Sequence, residues 1–340
     1  MILSVTTLKD SVGNAEKWVR RNLACGIDHL VVVVDGPQPE LEAMLGAHPH
    51  VTVVRGDAEW YADAPSELLN DRQIVNAALT CRLLAGLTWA EWVFHLDGDE
   101  VAQVDRADLA ALGADCRAVR LSTLEAVGRL HPAGDPTSFK RRLGVDELQL
   151  LTLLGAIPEP SNAVYFRGHR FGKPGVRPSL DHAIGVHHVI DREGNQVEPA
   201  QAPGLRLLHY ESFSGDEFVR KWSALLGSGG HIGQRGQRAS VAGSIRTLLG
   251  LDLGEADTQV FLYRLYQRLC EDDVGLLERL GVLVEVDPDS RRREVASSVQ
   301  GVDQLRRLLT AARDLPKRAF LPKALSPEAD AMVARLQAAL

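Results

Sequence analysis

HLVVVVDG, residues 29–36, is a run of apolar, mostly β-branched side chains that stops at Asp35-Gly36. It is too short for a helix and fits a strand buried on both faces, as in a parallel sheet. Upstream, ILSVTTL (2–8) reads as another strand. NAEKWVRRNLAC (14–25) reads as an amphipathic helix with Ala15, Trp18, Val19 and Leu23 on one face and Gly26 as its C-cap. The first 36 residues therefore predict a βαβ unit. Downstream the alternation continues: a short helix at 39–46, a strand at 51–55 (VTVVR), and a long helix at 66–86. Leu68, Leu69, Ile74, Val75, Ala78, Leu79, Leu83 and Leu84 supply the apolar face of that helix. A fourth strand, EWVFHL (91–96), ends directly in Asp97-Gly98-Asp99-Glu100, and RAVRLST (117–123) suggests a fifth. Repeated strand–helix alternation predicts an α/β fold, an open, mostly parallel sheet with ligands at the carboxyl ends of its strands.

The pattern changes beyond about residue 130. Residues 130–210 are rich in Gly, Pro, His and Arg, with strand-like pieces such as AVYFRG (163–168) and AIGVHHV (183–189). After LLHYESFSGDEFVRKW the chain turns mainly helical, with helices expected near 258–271, 302–313 and 327–339 and a flexible loop at 228–240. The expected division is a nucleotide-sugar and acceptor domain over 1–225 and a mainly helical region over 226–340. The 340 residues agree with a length prior of about two domains at roughly 150 residues each.

Composition excludes several classes. With 45% hydrophobic and 24% charged residues the chain is an ordinary globular one, not disordered, collagenous or coiled-coil. A net charge of −7 disfavours general nucleic-acid binding. Cys25, Cys81, Cys116 and Cys270 are scattered without zinc-ligand spacing, which predicts neither a disulfide framework nor a zinc site and suits a reducing cytosol. MILSVTTLKD reads as a strand rather than a signal peptide. No run of about 18 apolar residues predicts a transmembrane helix. The expected location is cytoplasmic, with peripheral attachment to the inner membrane face as an alternative.

Chemistry concentrates at HLDGDE, 95–100. Two aspartates one residue apart at a strand end can enter a crevice, where Mg²⁺ or Mn²⁺ takes carboxylate oxygens together with phosphates. A plain strand-ending turn explains Asp and Gly equally well. Asp35 ends the second strand in the same manner, and two acidic strand ends in one parallel sheet would converge on one nucleotide crevice. The loop GHRFGKPGVRPS (168–179), which contains Lys173, has basic side chains suited to a diphosphate; a solvated surface loop is the alternative. Arg72 stands near the start of the long helix, close to that crevice. SRRRE (290–294) reads as a solvated turn.

Taken in order, these blocks resemble the GT-A fold glycosyltransferases, near their family-two and family-ninety-two groups. The series is Lys9, Asp10, Ser11, Trp18, Gly26, Ile27, Asp28 and His29, then the valine strand to Asp35. Arg72, Gln73 and Asn76 follow, then Trp92 with Asp97 to Glu100. Gly172, Lys173 and His187 come next, and finally His209, Tyr210, Ser214, Phe218 and Lys221. The blocks run through residues 2–222 and leave the chain after about 225 uncovered. Asp10-Ser11 departs from the usual Asn-Glu, and Phe213 stands where a Lys often precedes the Ser.

The resemblance implies a Rossmann-like GT-A domain with a C-terminal helical region, and a metal-dependent hexosyltransferase. The enzyme would move a sugar from a nucleotide-diphosphate sugar, UDP-sugar first among them, to an acceptor hydroxyl. It implies Mn²⁺ or Mg²⁺ held by Asp97, Asp99 and His209, with His187 and His188 competing for the histidine role. Asp35, Arg72, Gln73, Asp97 and Lys173 are the expected donor contacts. An inverting transfer needs a general base, for which Asp181 and Glu211 are candidates; a retaining one does not. The acceptor could be carbohydrate, lipid-linked, protein or a small molecule. The C-terminal helices could make a homo-oligomer. A sugar nucleotidyltransferase is the alternative enzyme, though TTLKDSVGN lacks its Gly-rich loop. A non-catalytic nucleotide-sugar-binding or assembly protein is the alternative outside catalysis.

Overall fold

The computed structural model describes residues 1–64, 68–179, 181–227, 237–291, 293, 301–321 and 327–339. Much of the loop expected at 228–240 and part of SRRRE lie outside the described residues. The chain divides into two compact units. The first comprises residues 1–122, 171–207 and 288–340, and the second 123–170 and 208–287.

The first stretch carries β1 (Ile2–Leu8), α1 (Val12–Ala24), β2 (His29–Asp35), α2 (Pro39–Gly46), β3 (Val51–Gly56), α3 (Leu69–Leu84), β4 (Trp92–His95), β5 (Glu100–Val104) and α4 (Arg106–Ala111). β6 (Ala118–Ala126) passes from the first unit into the second, which continues with β7 (Ser138–Lys140), α5 (Val145–Leu153) and α6 (Asn162–Tyr165). Back in the first unit are β8 (Lys173–Val176), β9 (His182–Ile184), β10 (Val189–Asp191) and β11 (Gln196–Val197). β12 (Leu205–His209) leads again to the second unit, with α7 (Gly215–Gly227), α8 (Gln237–Leu249), α9 (Glu255–Leu269), α10 (Val274–Arg279) and β13 (Leu283–Glu285). α11 (Val302–Ala311) and α12 (Pro327–Ala339) close the first unit.

The sheet of the first unit runs β3-β2-β1-β4-β8-β6. β1 is parallel to β2 and β4, and β2 to β3, whereas β8 is antiparallel to β4 and β6. The valine run behaves as a strand covered on both faces must. Val31 and Val33 pack with Leu79 and Leu83 of α3, while Leu30, Val32 and Val34 pack with Trp18, Val19 and Leu23 of α1.

The division at residue 225 is not where the chain separates. Leu305, Leu308 and Leu309 of α11 and Val333 of α12 join the α3 side of the core. Gln337 Nε2 donates to the carbonyls of Leu83 (3.0 Å) and Ala85 (2.7 Å), which α3 leaves unpaired at its end. Asp330 pairs with Arg82. These helices complete the sheet's covering layer.

In the second unit, the end of β6 pairs antiparallel with β7 (Glu125 opposite Lys140), and β7 with β13. Phe218, Trp222, Ile245, Leu262 and Tyr266 form the core among α7, α8 and α9. AVYFRG, expected as strand-like, is helix α6 from Asn162, because Ser161 caps it by accepting from the Ala163 N–H. Leu68 and Leu69, expected on the apolar face of α3, are exposed at its start. No helix among the described residues is long and apolar enough to cross a membrane.

One pH effect follows from this core. His29 begins β2, is fully buried, and shares a 2.8 Å hydrogen bond with Thr52 Oγ1. Burial, with Arg306 and neighbouring histidines adding to it, pushes its pKa down to about 3. Between about pH 6.5 and pH 3 the unfolded chain binds a proton there that the folded chain refuses. The His29 contribution therefore falls as pH falls, by roughly 1.4 kcal/mol per pH unit inside that window. Urea unfolding at pH 7 and pH 5 should show wild type losing roughly 2 kcal/mol more than His29→Leu. Equal losses would refute the neutral, buried imidazole.

Candidate active site

The site of the first unit is built on three strand ends. In the parallel register Leu8 lies beside Val34, and Val5 beside His95, so the carboxyl ends of β1, β2 and β4 share one edge. Asp35 is the last residue of β2, and Asp97 follows β4 by two positions. α3 enters this edge with Arg72, Gln73 and Asn76, the first and last one helical turn apart and so on one face.

Arg72 grips Asp35 with both prongs, Nε to Oδ1 at 2.9 Å and Nη2 to Oδ2 at 2.7 Å. Gln73 Nε2 donates to Asp97 Oδ1 at 2.6 Å. Lys173 Nζ donates to Asp97 Oδ2 at 2.8 Å and lies 3.7 Å from Glu100 Oε2. Glu100 in turn accepts from the Asp97 N–H at 2.7 Å. Asn76 ties the helix to the sheet, donating to Thr7 Oγ1 and Tyr61 Oη at 2.8 Å each and accepting from Trp60 Nε1 at 2.9 Å. Asp35, Arg72, Gln73, Asp97 and Lys173 are thus brought together as two adjoining charged clusters.

Lys173 and Glu100 have no exposed side-chain surface, while Asp97 keeps 25% of its own. Burial opposes the ionisation of Asp97, but Lys173, with His95 adding to it, holds its pKa well below the usual carboxylate range. Burial also opposes the charge on Lys173, and Asp97 and Glu100 outweigh it, raising the lysine. The edge is therefore a set of compensated charges whose partners are fixed before any ligand arrives.

Two glycines make this packing possible. At Gly98, in the acidic turn, a Cβ would stand 2.5 Å from Leu8 Cδ1. At Gly172 φ is +70° and a Cβ would stand 2.1 Å from the Leu121 carbonyl oxygen, so only glycine delivers Lys173 into β8 here. Gly172→Ala should cost roughly 2–4 kcal/mol in chemical denaturation, combining left-handed strain with a backbone clash. A loss below about 0.5 kcal/mol would contradict that seating.

Asp99 is half-buried in the turn before β5. Asp181, considered as a general base, comes just before the small antiparallel sheet β9-β10-β11. Its side chain is 68% exposed and bound to Arg192 Nε at 2.7 Å, which holds its pKa low. His187 Nδ1 lies 3.0 Å from the Gly172 carbonyl oxygen, so it supports the lysine-bearing turn.

His209 and Glu211 belong to the second unit. Both are buried. Glu211 accepts from Lys221 Nζ at 2.8 Å and from Ser212 Oγ at 3.1 Å, and its Oε2 is 3.8 Å from His209 Nε2. Ser212 has φ +47°, an uncommon conformation for a serine. A small cavity of the second unit is lined by Phe166, Arg167, Glu211, Ser212, Phe218 and Trp222 among others. A larger one, about 510 Å³, lies along β3 and α11 in the first unit and holds none of the candidate residues. Its Arg55, Arg306 and Arg313 are paired with Glu42, Asp303 and Asp57, which leaves it no clear charge to offer.

The sequence missed the buried part of Glu100, which reads as the tail of an acidic motif but supports Asp97 from below. It also missed His169, whose ring stacks near His209. The histidine stands in a basic loop and reads there as one more positive group.

No family model matches this sequence, and no curated protein does. Among solved structures the chain is similar to a mannosyltransferase from Pyrobaculum calidifontis in complex with GDP-Man and Mn²⁺, at 12% identity and TM-score 0.32, covering 99% of this chain and 86% of that one. An active-site mutant of LgtC aligns at 15% identity and TM-score 0.25, over 38% of this chain and 46% of that one. A nucleotidyl transferase from a Methanothermobacter aligns at 20% identity and TM-score 0.22, over 38% of this chain and 63% of that one. The chain thus spans less than two thirds of the last two proteins. At these scores the likenesses carry no argument about its chemistry.

Proposed function

We propose that this chain is a glycosyltransferase that takes a sugar from a nucleotide-diphosphate donor, most simply a UDP-sugar, and passes it to a hydroxyl acceptor with inversion. One observation supports the reading. Adjacent ends of parallel strands present Asp35 with Arg72 and Asp97 with Gln73, Lys173 and Glu100 along one edge, where α/β sheets bind nucleotides. Asp35 and Arg72 suit the base and ribose, whereas Lys173, expected to meet the diphosphate, is wholly buried with its charge matched by Asp97 and Glu100, so it orders the acidic turn and does not reach the donor.

Asp97 and Asp99 offer hard oxygen donors that suit Mn²⁺ or Mg²⁺. Both oxygens of Asp97 also accept from Gln73 and Lys173, so it would serve an ion through its remaining lone pairs. Asp99 is then the principal ligand from this turn. A bound divalent ion would offset charge on the leaving diphosphate. In the transfer itself, a carboxylate takes the proton of the acceptor hydroxyl, whose oxygen attacks the anomeric carbon as the bond to the diphosphate breaks. Asp181, exposed and locked to Arg192, is poorly suited to that task. Glu211, buried in the second unit and accepting from Ser212 and Lys221, remains the other carboxylate considered for that role.

The test is a panel of nucleotide sugars with Mn²⁺ and candidate acceptors, following nucleoside diphosphate release and glycoside formation by mass spectrometry. Arg72→Ala should raise the donor KM about tenfold or more with a smaller change in kcat, because the lost contact is to a part of the donor that does not react. Pyrophosphate release from a nucleoside triphosphate and a sugar phosphate would instead establish a nucleotidyltransferase. No heat and no thermal shift with UDP and Mn²⁺ would favour a non-catalytic role.

A further inference from the structure

We infer that Lys317 and Arg313, in the segment that follows α11, are positioning residues for the donor edge: they clasp the 57–63 segment so that Trp60 sets Asn76, and Asn76 sets Arg72 beside Asp35. All of these residues belong to the first unit. Arg313 Nη2 donates to Asp57 Oδ2 at 2.6 Å and to Glu59 Oε2 at 2.8 Å. Asp57 Oδ1 in turn accepts from the Trp60 N–H at 2.9 Å. Farther along, Asp63 accepts from the N–H groups of Lys317 at 2.7 Å and Arg318 at 3.2 Å. The Lys317 ammonium lies 4.4 Å from the centre of the Trp60 ring. It also donates to the carbonyls of Arg313 and Leu315, at 2.8 Å each. Lys317 and Trp60 are both buried.

Burying an ammonium costs more than burying an apolar chain of the same length. What the cation adds is direction: two carbonyls and one indole face fix it, and it fixes the ring in turn. That ring's Nε1–H is the donor to Asn76 Oδ1, and Asn76 donates to Tyr61 Oη. Tyr61 Oη meets the sheet at Gly56, the residue opposite Asp35 in the β2–β3 register, where a Cβ would stand 3.1 Å from it. Asn76 follows Arg72 by one helical turn on the same face of α3, and Arg72 holds Asp35. The clasp thus supports the Asp35–Arg72 pair from the helix and from the sheet. Its consequence for a donor rests on the transferase reading; its hold on Arg72 does not.

The test has two arms, both on the full chain. Without donor, the Arg72 Nε–H resonance, identified by its loss in Arg72→Lys, should move in Lys317→Met. It should also move in Trp60→Phe, which keeps a ring for Lys317 but removes the N–H to Asn76. Arg313→Gln, at a partly exposed position, makes the same test where Lys317→Met does not fold. The resonance should stay in place in Gln337→Ala, which cuts ties at the other end of α3. With a nucleotide sugar, Lys317→Met and Trp60→Phe should each raise the donor KM at least about fivefold with kcat within about twofold. The double variant should stay within about twofold of the worse single one, because both act through one link. An Arg72 resonance that does not move, or that Gln337→Ala moves equally, would overturn the clasp. So would losses that fall on kcat as heavily as on KM, or that multiply in the double variant. A wild type that takes no donor while the resonance shifts stand sinks the transferase reading alone.

Discussion

Lys173→Met should destabilise the first unit by about 3–5 kcal/mol, the usual loss when one partner of a buried ion pair is removed. The ammonium stands 2.8 Å from Asp97 and 3.7 Å from Glu100, with no surface of its own in water. A methionine fills its volume but leaves two carboxylates facing a low-dielectric interior. The pH dependence separates this from a simple packing loss. Lys173 is raised, so its contribution is complete below the ordinary lysine pKa and disappears only as pH climbs beyond it. Asp97 is lowered, so its contribution holds above the ordinary carboxylate range and is lost only as pH falls below it. In Lys173→Met burial acts on Asp97 without that counter-charge, so its carboxyl takes up a proton at higher pH and the gap to wild type should narrow as pH falls toward about 5, whereas a packing loss would leave it level. Adding Asp97→Asn to Lys173→Met should restore part of the loss, since the orphaned charge is gone. A gap under about 1 kcal/mol in urea unfolding would show that these charges do not depend on one another.

Asp99→Ala carries the largest expected effect on activity. Its turnover of a nucleotide sugar with Mn²⁺ should fall at least about a hundredfold, the scale of losing one preorganised electrostatic contact to a leaving group. Asp99 is half-buried in a turn between β4 and β5, so the fold should survive, with unfolding free energy within about 0.5 kcal/mol of wild type. That pairing of outcomes matters, because Asp97→Ala would lose activity and stability together and would decide nothing. Turnover equal to wild type would remove Asp99 from the proposed metal site.

Much of the first unit is legible from local pattern. The four strands of the parallel layer, α1, α2 and α3 stand close to where apolar periodicity and turn residues put them, because each buries a face whose spacing is written in consecutive residues. The acidic strand ends at Asp35 and Asp97 follow from the same reading. The partners of those acids were only half legible. Arg72 and Gln73 lie on a helix whose start points toward the crevice, so their meeting with Asp35 and Asp97 could be anticipated. Lys173 reads as part of a basic loop suited to a diphosphate, yet it is a wholly buried strand residue whose charge is already matched.

By itself, then, the sequence determined an α/β sheet, its first strands and helices along the chain, and an acidic edge where a charged ligand could bind. It did so because strand and helix period, turn chemistry and carboxylate spacing are local. Tertiary structure alone decided that α11 and α12 cover the first sheet, that Glu100 supports Asp97, and that His169 meets His209. Each of those depends on contacts between residues tens to hundreds of positions apart. Such contacts form because buried apolar area and buried charge must find partners wherever the folded chain offers them, and no window of neighbouring residues carries that information.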